Sequence, residues 1–418
     1  MATAEPCSAM QVPDHVPASL VRDIDCLDPP GAHENLHLAW RAVQASCPPL
    51  FWTPRNGGHW VATRGQDIRE MQRNVALYSH AKYVVPYDPT TPQAPPATTD
   101  GPLHARYRAL LVPHLLPAAV ARLDPEVRQI ARETIAALAP RGACEFVAEF
   151  ARVLPVTVFL RLAGMPLEDR EFLLDLAHRA ARPVSAQDRI GALTGMQAYL
   201  VDPLRQREGL NGTDLISAIV NGDLGTRRPD ETERLAIATT VMLGGLDTVA
   251  AMMSFVAWHL ANHPRDREAL RADPALLDAA VEEYIRRFGV ANTARMVTCD
   301  HLYAGVLLRA GDQIMLPNSL VGLDDQLNPD PMEVDFHRAR PRGPVKSRHA
   351  AFGTGPHTCP GAALARRELK IFLEEWLLAI PDFSVAADHP PRCAPGTINS
   401  LEHLHLVWPA GPVAGSQE

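Results

Sequence analysis

Two short stretches hold side chains that could do chemistry. In AFGTGPHTCPG, residues 351–361, one cysteine, Cys359, sits among three glycines and two prolines directly before a long helical pattern. A thiol at a helix entrance meets unpaired backbone N–H groups and the positive end of the helix dipole, and both favour the thiolate. A thiolate is in turn a good ligand for a soft or borderline metal. In LGGLDT, residues 243–248, Asp247 and Thr248 interrupt the longest apolar run of the chain, residues 235–260. A helical threonine normally bonds back to the carbonyl four residues earlier, here Gly244, which leaves Asp247 as a costly carboxylate in apolar surroundings.

The seven cysteines (Cys7, Cys26, Cys47, Cys144, Cys299, Cys359 and Cys393) are odd in number and scattered, with no C-x-x-C pair. That argues against a disulfide frame and against structural zinc. One thiolate without a second Cys or His at metal spacing suits a metal that arrives with most of its ligands, and haem iron brings four nitrogens and needs only an axial partner. Taken alone, Cys359 reads equally as a small buried hydrophobe and Pro360 as an ordinary first-turn proline. Glu283 and Arg286 in EEYIRR are three apart and share a helix face, which by itself marks no more than a solvated ion pair.

The elements that must position these residues are mainly helical. From about residue 103 to 290, apolar positions recur three and four apart, and Asn211-Gly212 and His263-Pro264 punctuate the run. FWTPRNGGHWVATRG reads as a hairpin around an Asn-Gly-Gly turn, where positive φ costs little. Short strands are expected over Leu302–Leu308, Gln313–Leu316 and the closing HLHLVW, with a helix from Gly361 to about Ala379. Residues 80–100 carry five prolines and no helical period, the composition of an ordered binding loop.

With 418 residues, 46% of them hydrophobic, the chain can bury a large core, and no repeat or Gly/Ser linker divides it. A net charge of −8 without a basic arm argues against nucleic acid. The opening residues lack a signal peptide's basic and apolar segments, so a cytoplasmic location is expected. The apolar run is long enough to span a bilayer, but Asp247, its threonines and the Gly-Gly pair make it a buried central helix, so no membrane span is expected.

Together with Phe352, Gly355, His357 and Gly361, Cys359 completes F-x-x-G-x-[H/R]-x-C-x-G, which resembles the haem loop of the cytochrome P-450 superfamily. The strings NGGHWVATRGQDIRE, LGGLDTVA, EEYIRRF, GDQIMLP, PMEVDFHR, LARRE and LVW extend a resemblance to the bacterial camphor monooxygenase family over nearly the whole chain. It implies a mainly α fold with small β-sheets, a triangular helix-rich prism formed by residues 1–418 as one domain. Haem b would lie between the long helix and the cysteine loop, with Cys359 as axial ligand and Phe352, Gly353 and Gly361 around it. His104, Arg108, Arg295 and His357 match positions that hold the haem carboxylates. Asp247 and Thr248 would relay protons to bound dioxygen, with Gly244 and Gly245 admitting oxygen and substrate to the backbone. Glu283, Arg286 and Arg338 would brace the cysteine loop as a buried triad.

The resemblance further implies a haem-thiolate monooxygenase fed by a [2Fe–2S] ferredoxin and its NADH-linked reductase. Arg106, Arg108, Arg366 and Arg367 are expected to form a basic docking patch for that acidic partner. Gln93, Thr240, Leu243, Gly244, Val290, Ala291 and Ile398 match substrate-facing positions and suggest a small apolar substrate, such as a terpenoid or an ionone-like norisoprenoid. A peroxide-driven oxygenase would normally replace the acid and alcohol pair, and a non-catalytic haem sensor would have no use for it. Three departures from the camphor enzyme stand out. Its ketone-binding tyrosine becomes Pro92 or Gln93, leaving Gln93, Tyr83 or Tyr87 as replacement donors, and a propionate-side aspartate becomes Thr293. Pro360 follows the cysteine and has no N–H to offer the sulfur, which implies a more electron-rich thiolate.

Overall fold

The Asn-Gly-Gly turn forms as its composition dictates: Asn56, Gly57 and Gly58 all have positive φ (53°, 85° and 75°) and join strands Leu50–Thr53 and His59–Ala62. The computed structural model describes residues 11–90, 92–181, 185–338 and 347–409. The hairpin opens a five-stranded sheet, completed in order by Gln313–Pro317, Asn292–Val297 and Tyr78–Ser79. The pairing Trp60↔Ile314 is parallel and the others antiparallel, so one sheet stitches the first hundred residues to the last third of the chain. The expected strand Leu302–Leu308 is instead a separate hairpin, His301–Tyr303 with Val306–Leu308, because Ala304 and Gly305 take positive φ (48° and 83°) and turn the chain.

Helices make up the bulk between residues 101 and 287, interrupted by the short strand Ala143–Glu145, which pairs with His405–Val407 of the closing segment. The long apolar run forms two helices, Glu231–Leu246 and Thr248–Asn262, parted at Asp247 (φ −117°, ψ −31°). Asp230 and Glu233 cap the first of them reciprocally. Glu231–Asn262 is the one segment among the described residues long and apolar enough to cross a membrane, with a mean hydropathy of 1.6 over its most apolar window. Here it is a core element: Met253, Phe255, Ala257 and Leu260 of its second half are buried among neighbouring helices.

Below Cys359 the Ala362–Ala379 helix is anchored at its far end by Trp376, which is fully buried with ring centroids 4.9 Å from Phe146 and 5.0 Å from Phe150. Burying a side chain of that size contributes about 3–5 kcal/mol, enough to fix where the helix, and so the cysteine loop above it, must sit.

Candidate active site

Four elements turn one face each toward a cavity of about 350 Å³, and the spacing on each follows its secondary structure. The Gly101–Leu115 helix contributes His104, Arg108 and Leu111, and the Glu231–Asn262 pair contributes Thr240, Gly244, Thr248 and Met252, a repeat of four. The Ala362–Ala379 helix contributes Leu364, Ala365 and Glu368, while Ala291, just before the Asn292–Val297 strand, and Thr293 and Arg295 on it alternate inward. The Cys359 loop closes the cavity with Phe352, Gly353, His357, Pro360 and Gly361.

The thiol of Cys359 faces this cavity, beneath the protein surface, and its backbone N–H donates to the Phe352 carbonyl (2.8 Å), which closes the loop on itself. Burial among apolar walls pushes the thiol up, with the Gly361 N–H and the charges of Arg108 and Arg366 pulling the other way. The expected depression by the helix entrance is therefore reversed: desolvation of a thiolate outweighs one N–H and two distant charges. A bound metal cation would supply the missing opposite charge.

Around the rim three imidazoles stack, His80 on His357 at 3.4 Å between centroids and His104 on His357 at 3.9 Å. His357 donates from Nε2 to Asp100 (2.9 Å), whose other oxygen accepts from Ser79 (2.5 Å) and the His80 N–H (3.1 Å). Burial works against the Asp100 carboxylate, yet those donors hold it below its usual range. Arg295 is 2% exposed, and it spends one N–H on the Ala294 carbonyl (2.7 Å) while its Nε finds no partner. Burial draws its guanidinium down to about 9, only partly countered by Asp100. His104 falls to about 4 through burial and then through His357 and Arg108, and its Nε2 is also unpartnered. Buried donors left unpaired cost about 1–3 kcal/mol each, so this rim is built for an anionic acceptor.

Thr248 donates its hydroxyl to the Gly244 carbonyl (3.1 Å), the back-bond expected from the sequence, at the point where Asp247 leaves helical geometry. Gly244 and Gly245 differ. A Cβ at Gly244 would meet nothing within 4 Å, whereas one at Gly245 would lie 2.3 Å from the Phe159 ring. Only Gly244 opens space; Gly245 is needed for helix packing.

The triad is assembled. Arg286 donates to both Glu283 oxygens (2.8 and 2.7 Å), Arg338 donates to Glu283 (2.9 Å), and Arg286 also holds the carbonyls of Gly322, Pro331 and Glu333.

A protein-family model for cytochrome P450 matches residues 202–392. The probable cytochrome P450 127A1 of Sinorhizobium fredii is 31% identical over 415 residues, 95% of this chain and 97% of that protein. The crystal structure of CYP101J2 superposes with a TM-score of 0.87 at 37% identity, covering 96% of this chain and all of the other, and that of CYP101C1 does so at 0.87 and 36%, covering 95% and all. The chain belongs to the cytochrome P450 family. As a cytochrome P450 it is a monooxygenase whose cofactor is haem b with an axial cysteine thiolate.

The residues present fit that group. Among the described residues no set of three His, Cys, Asp or Glu is placed to hold a metal ion, while one thiol faces a cavity whose rim carries the buried, unpaired nitrogens of Arg295 and His104. Cys359 could hold the P450 iron and His104, Arg108, Arg295 and His357 the haem carboxylates.

The seven expected pocket residues all line this cavity or one adjoining it, Val290 and Ala291 the first, Gln93, Leu243 and Ile398 the second, Thr240 and Gly244 both. Tyr83 and Pro92 line the second as well; Tyr87 points elsewhere, its ring beneath the Lys82 ammonium (4.8 Å). The expected basic patch is diluted: Arg108 faces the cavity, Arg106 reaches Thr226 (3.2 Å), Arg366 pairs with Glu282 and Arg367 with Asp124, so local acids offset two of its four charges.

Sequence reasoning missed His80, Asp100 and Glu368. The first two meet His357 across the chain, and no local pattern marks them. Glu368 sits on the LARRE string, is buried against the cavity, and is pushed up from the usual carboxylate range by desolvation.

Proposed function

We propose that this cytochrome P450 hydroxylates a small, mostly apolar molecule of the terpenoid or norisoprenoid kind, camphor-like or ionone-like in size, in the cytoplasm. Residues 1–418 act as a single monooxygenase domain, and electrons come from a [2Fe–2S] ferredoxin and its NADH-linked reductase. The observation that carries this reading is that Cys359, the cationic rim and Thr248 line one cavity, which shares Thr240, Gly244 and Thr248 with a second, largely apolar one.

When bound, haem supplies the activation of dioxygen and the transfer of one oxygen atom into a C–H bond. Cys359 holds the iron through Sγ, inside a loop kept in place from below by Glu283, Arg286 and Arg338. His104, Arg108, Arg295 and His357 orient the cofactor by charge-assisted bonds to its carboxylates. Asp247, at the helix break, takes up protons and passes them through the Thr248 hydroxyl into the cavity. Apolar walls at Leu243, Val290, Ala291 and Ile398 exclude water and hold the hydrocarbon.

The test is the reduced, carbon monoxide-treated protein. A strongly red-shifted absorbance band is expected from the wild type and its loss from Cys359→Ser; a band that survives in the variant would assign the thiolate to another cysteine.

A further inference from the structure

The second cavity, about 280 Å³, meets the first at Tyr83, Ala97, Thr240, Gly244 and Thr248, which line both. The rest of its wall is mostly alanine and branched aliphatic, including Ala177, Ala180, Leu193, Ala236 and Leu243. One cation, Arg189, and one acid, Asp247 at the end nearest Thr248, break that lining. Arg189 lies on the Ala186–Gln206 helix, one turn before Leu193 and two before Gln197, a spacing of four that puts all three on the cavity face.

Arg189 is a half-buried arginine without an acidic partner among the described residues. Its Nε is buried without a hydrogen-bond partner, and among the described residues it enters no ion pair. The acids nearby on its own and the preceding helix are engaged by Arg179, which takes Asp188 (2.8 Å) and Asp175 (3.4 Å). The field of Arg189 nevertheless reaches the 80–100 loop. Burial pushes the Tyr83 phenol up and Arg189 pulls it partly back; Asp88 is held low chiefly by Thr90, with a smaller contribution from Arg189.

A guanidinium cannot shed its proton as a buried lysine can, so only a partner offsets the cost of holding it against an apolar wall. Low local polarity then strengthens any ion–ion attraction. The planar fork matches a carboxylate in two parallel bonds, and a single cation balances one negative charge, not the two of a phosphate monoester. Among the described residues no other Lys or Arg lines this cavity.

We propose, resting on the monooxygenase reading above, that the substrate is a small apolar carboxylic acid. Arg189 holds its carboxylate, and its hydrocarbon body lies along the alanine-rich wall toward Thr248. The expected lining of small and aliphatic residues alone would favour a neutral molecule; Arg189 changes the class.

The test uses haem-loaded protein that already shows the carbon monoxide band, so that failure of the cofactor reading is seen first and separately. Cyclohexanecarboxylic and adamantanecarboxylic acids, each beside its methyl ester, are titrated near neutral pH, where the acids are ionised. Binding is followed by calorimetry and by the spin-state change in absorbance. The wild type should bind the acids roughly tenfold or more tightly than the esters, as expected for a charge-assisted pair. Arg189→Gln should lose that preference while its ester affinity stays within about twofold. Esters binding as tightly as acids, no binding by either acid, or an unchanged preference in Arg189→Gln would overturn the proposal.

Discussion

Beneath the cysteine loop Arg286, 1% exposed, donates to both oxygens of Glu283 and to three backbone carbonyls, whereas Arg189 in the substrate cavity has a buried Nε that donates to nothing. The side chain is the same in both places. What differs is whether the fold itself supplies the acceptors. On the cysteine side the partners are internal, so the guanidinium is a fixture that locks Gly322, Pro331 and Glu333 together. On the substrate side they must come from outside, so the same chemistry becomes a recognition element. A close-packed, saturated wall therefore braces the cysteine loop, while unsaturated donors, Arg295 at the cofactor rim and Arg189 in the substrate cavity, face what must come from outside.

The sharpest way to break this contrast is Glu283→Ala, which leaves Arg286 and Arg338 as uncompensated charges in a buried site. It should cost about 3–5 kcal/mol and release haem, read as a lower melting temperature and a lower haem-to-protein absorbance ratio. Next in size is Gly245→Ala, which forces the Phe159 ring to move and should destabilise by about 1–3 kcal/mol. Gly244→Ala, with open space around its new methyl, should leave denaturation midpoints within about 0.5 kcal/mol of wild type. Thr248→Ala changes no packing of consequence, yet the product formed per electron consumed should fall by roughly tenfold. Equal coupling in the two proteins would remove Thr248 from the proton route.

The smallest effect is a pH dependence on the saturated side. Burial opposes the charged form of Glu282, but bonds from His349 (3.4 Å) and Arg366 win and bring it down to about 2. A carboxyl depressed on folding contributes stability above its unfolded value, near 4.3, and loses it as pH falls toward 2. Because Glu282 is half exposed, the gain is modest. Wild type should melt slightly above Glu282→Gln at pH 6, and the two midpoints should converge as acid is added through that window.

How much of this was readable beforehand depends on whether the signal is local. The hairpin turn, the helix opening after Gly361 and the Thr248 back-bond each follow from a few adjacent residues, and each appears in the structure. Glu283 and Arg286 were a weak pair on their own; the resemblance to a known family supplied Arg338. His80, Asp100 and Arg189 escaped because their meaning arises only when distant segments meet. A histidine in a loop, an acid before a helix and an arginine on a helix are ordinary until His357 or an apolar void lies beside them. The expected basic patch shows the converse: charges counted along the chain ignore the acids that folding brings to two of its four members, Arg366 and Arg367.

The alternation along the Asn292–Val297 strand has one more consequence. Ala291, Thr293 and Arg295 share a single rigid backbone, so the ceiling over the substrate and the clamp on the cofactor cannot shift independently. A lineage adopting a new compound, or an engineer seeking one, is thereby steered away from that strand. Permissive ground lies at residues 92–94 and on the helix bearing Arg189, which line only the second cavity, so a swap there can reshape the chamber without disturbing the prosthetic group.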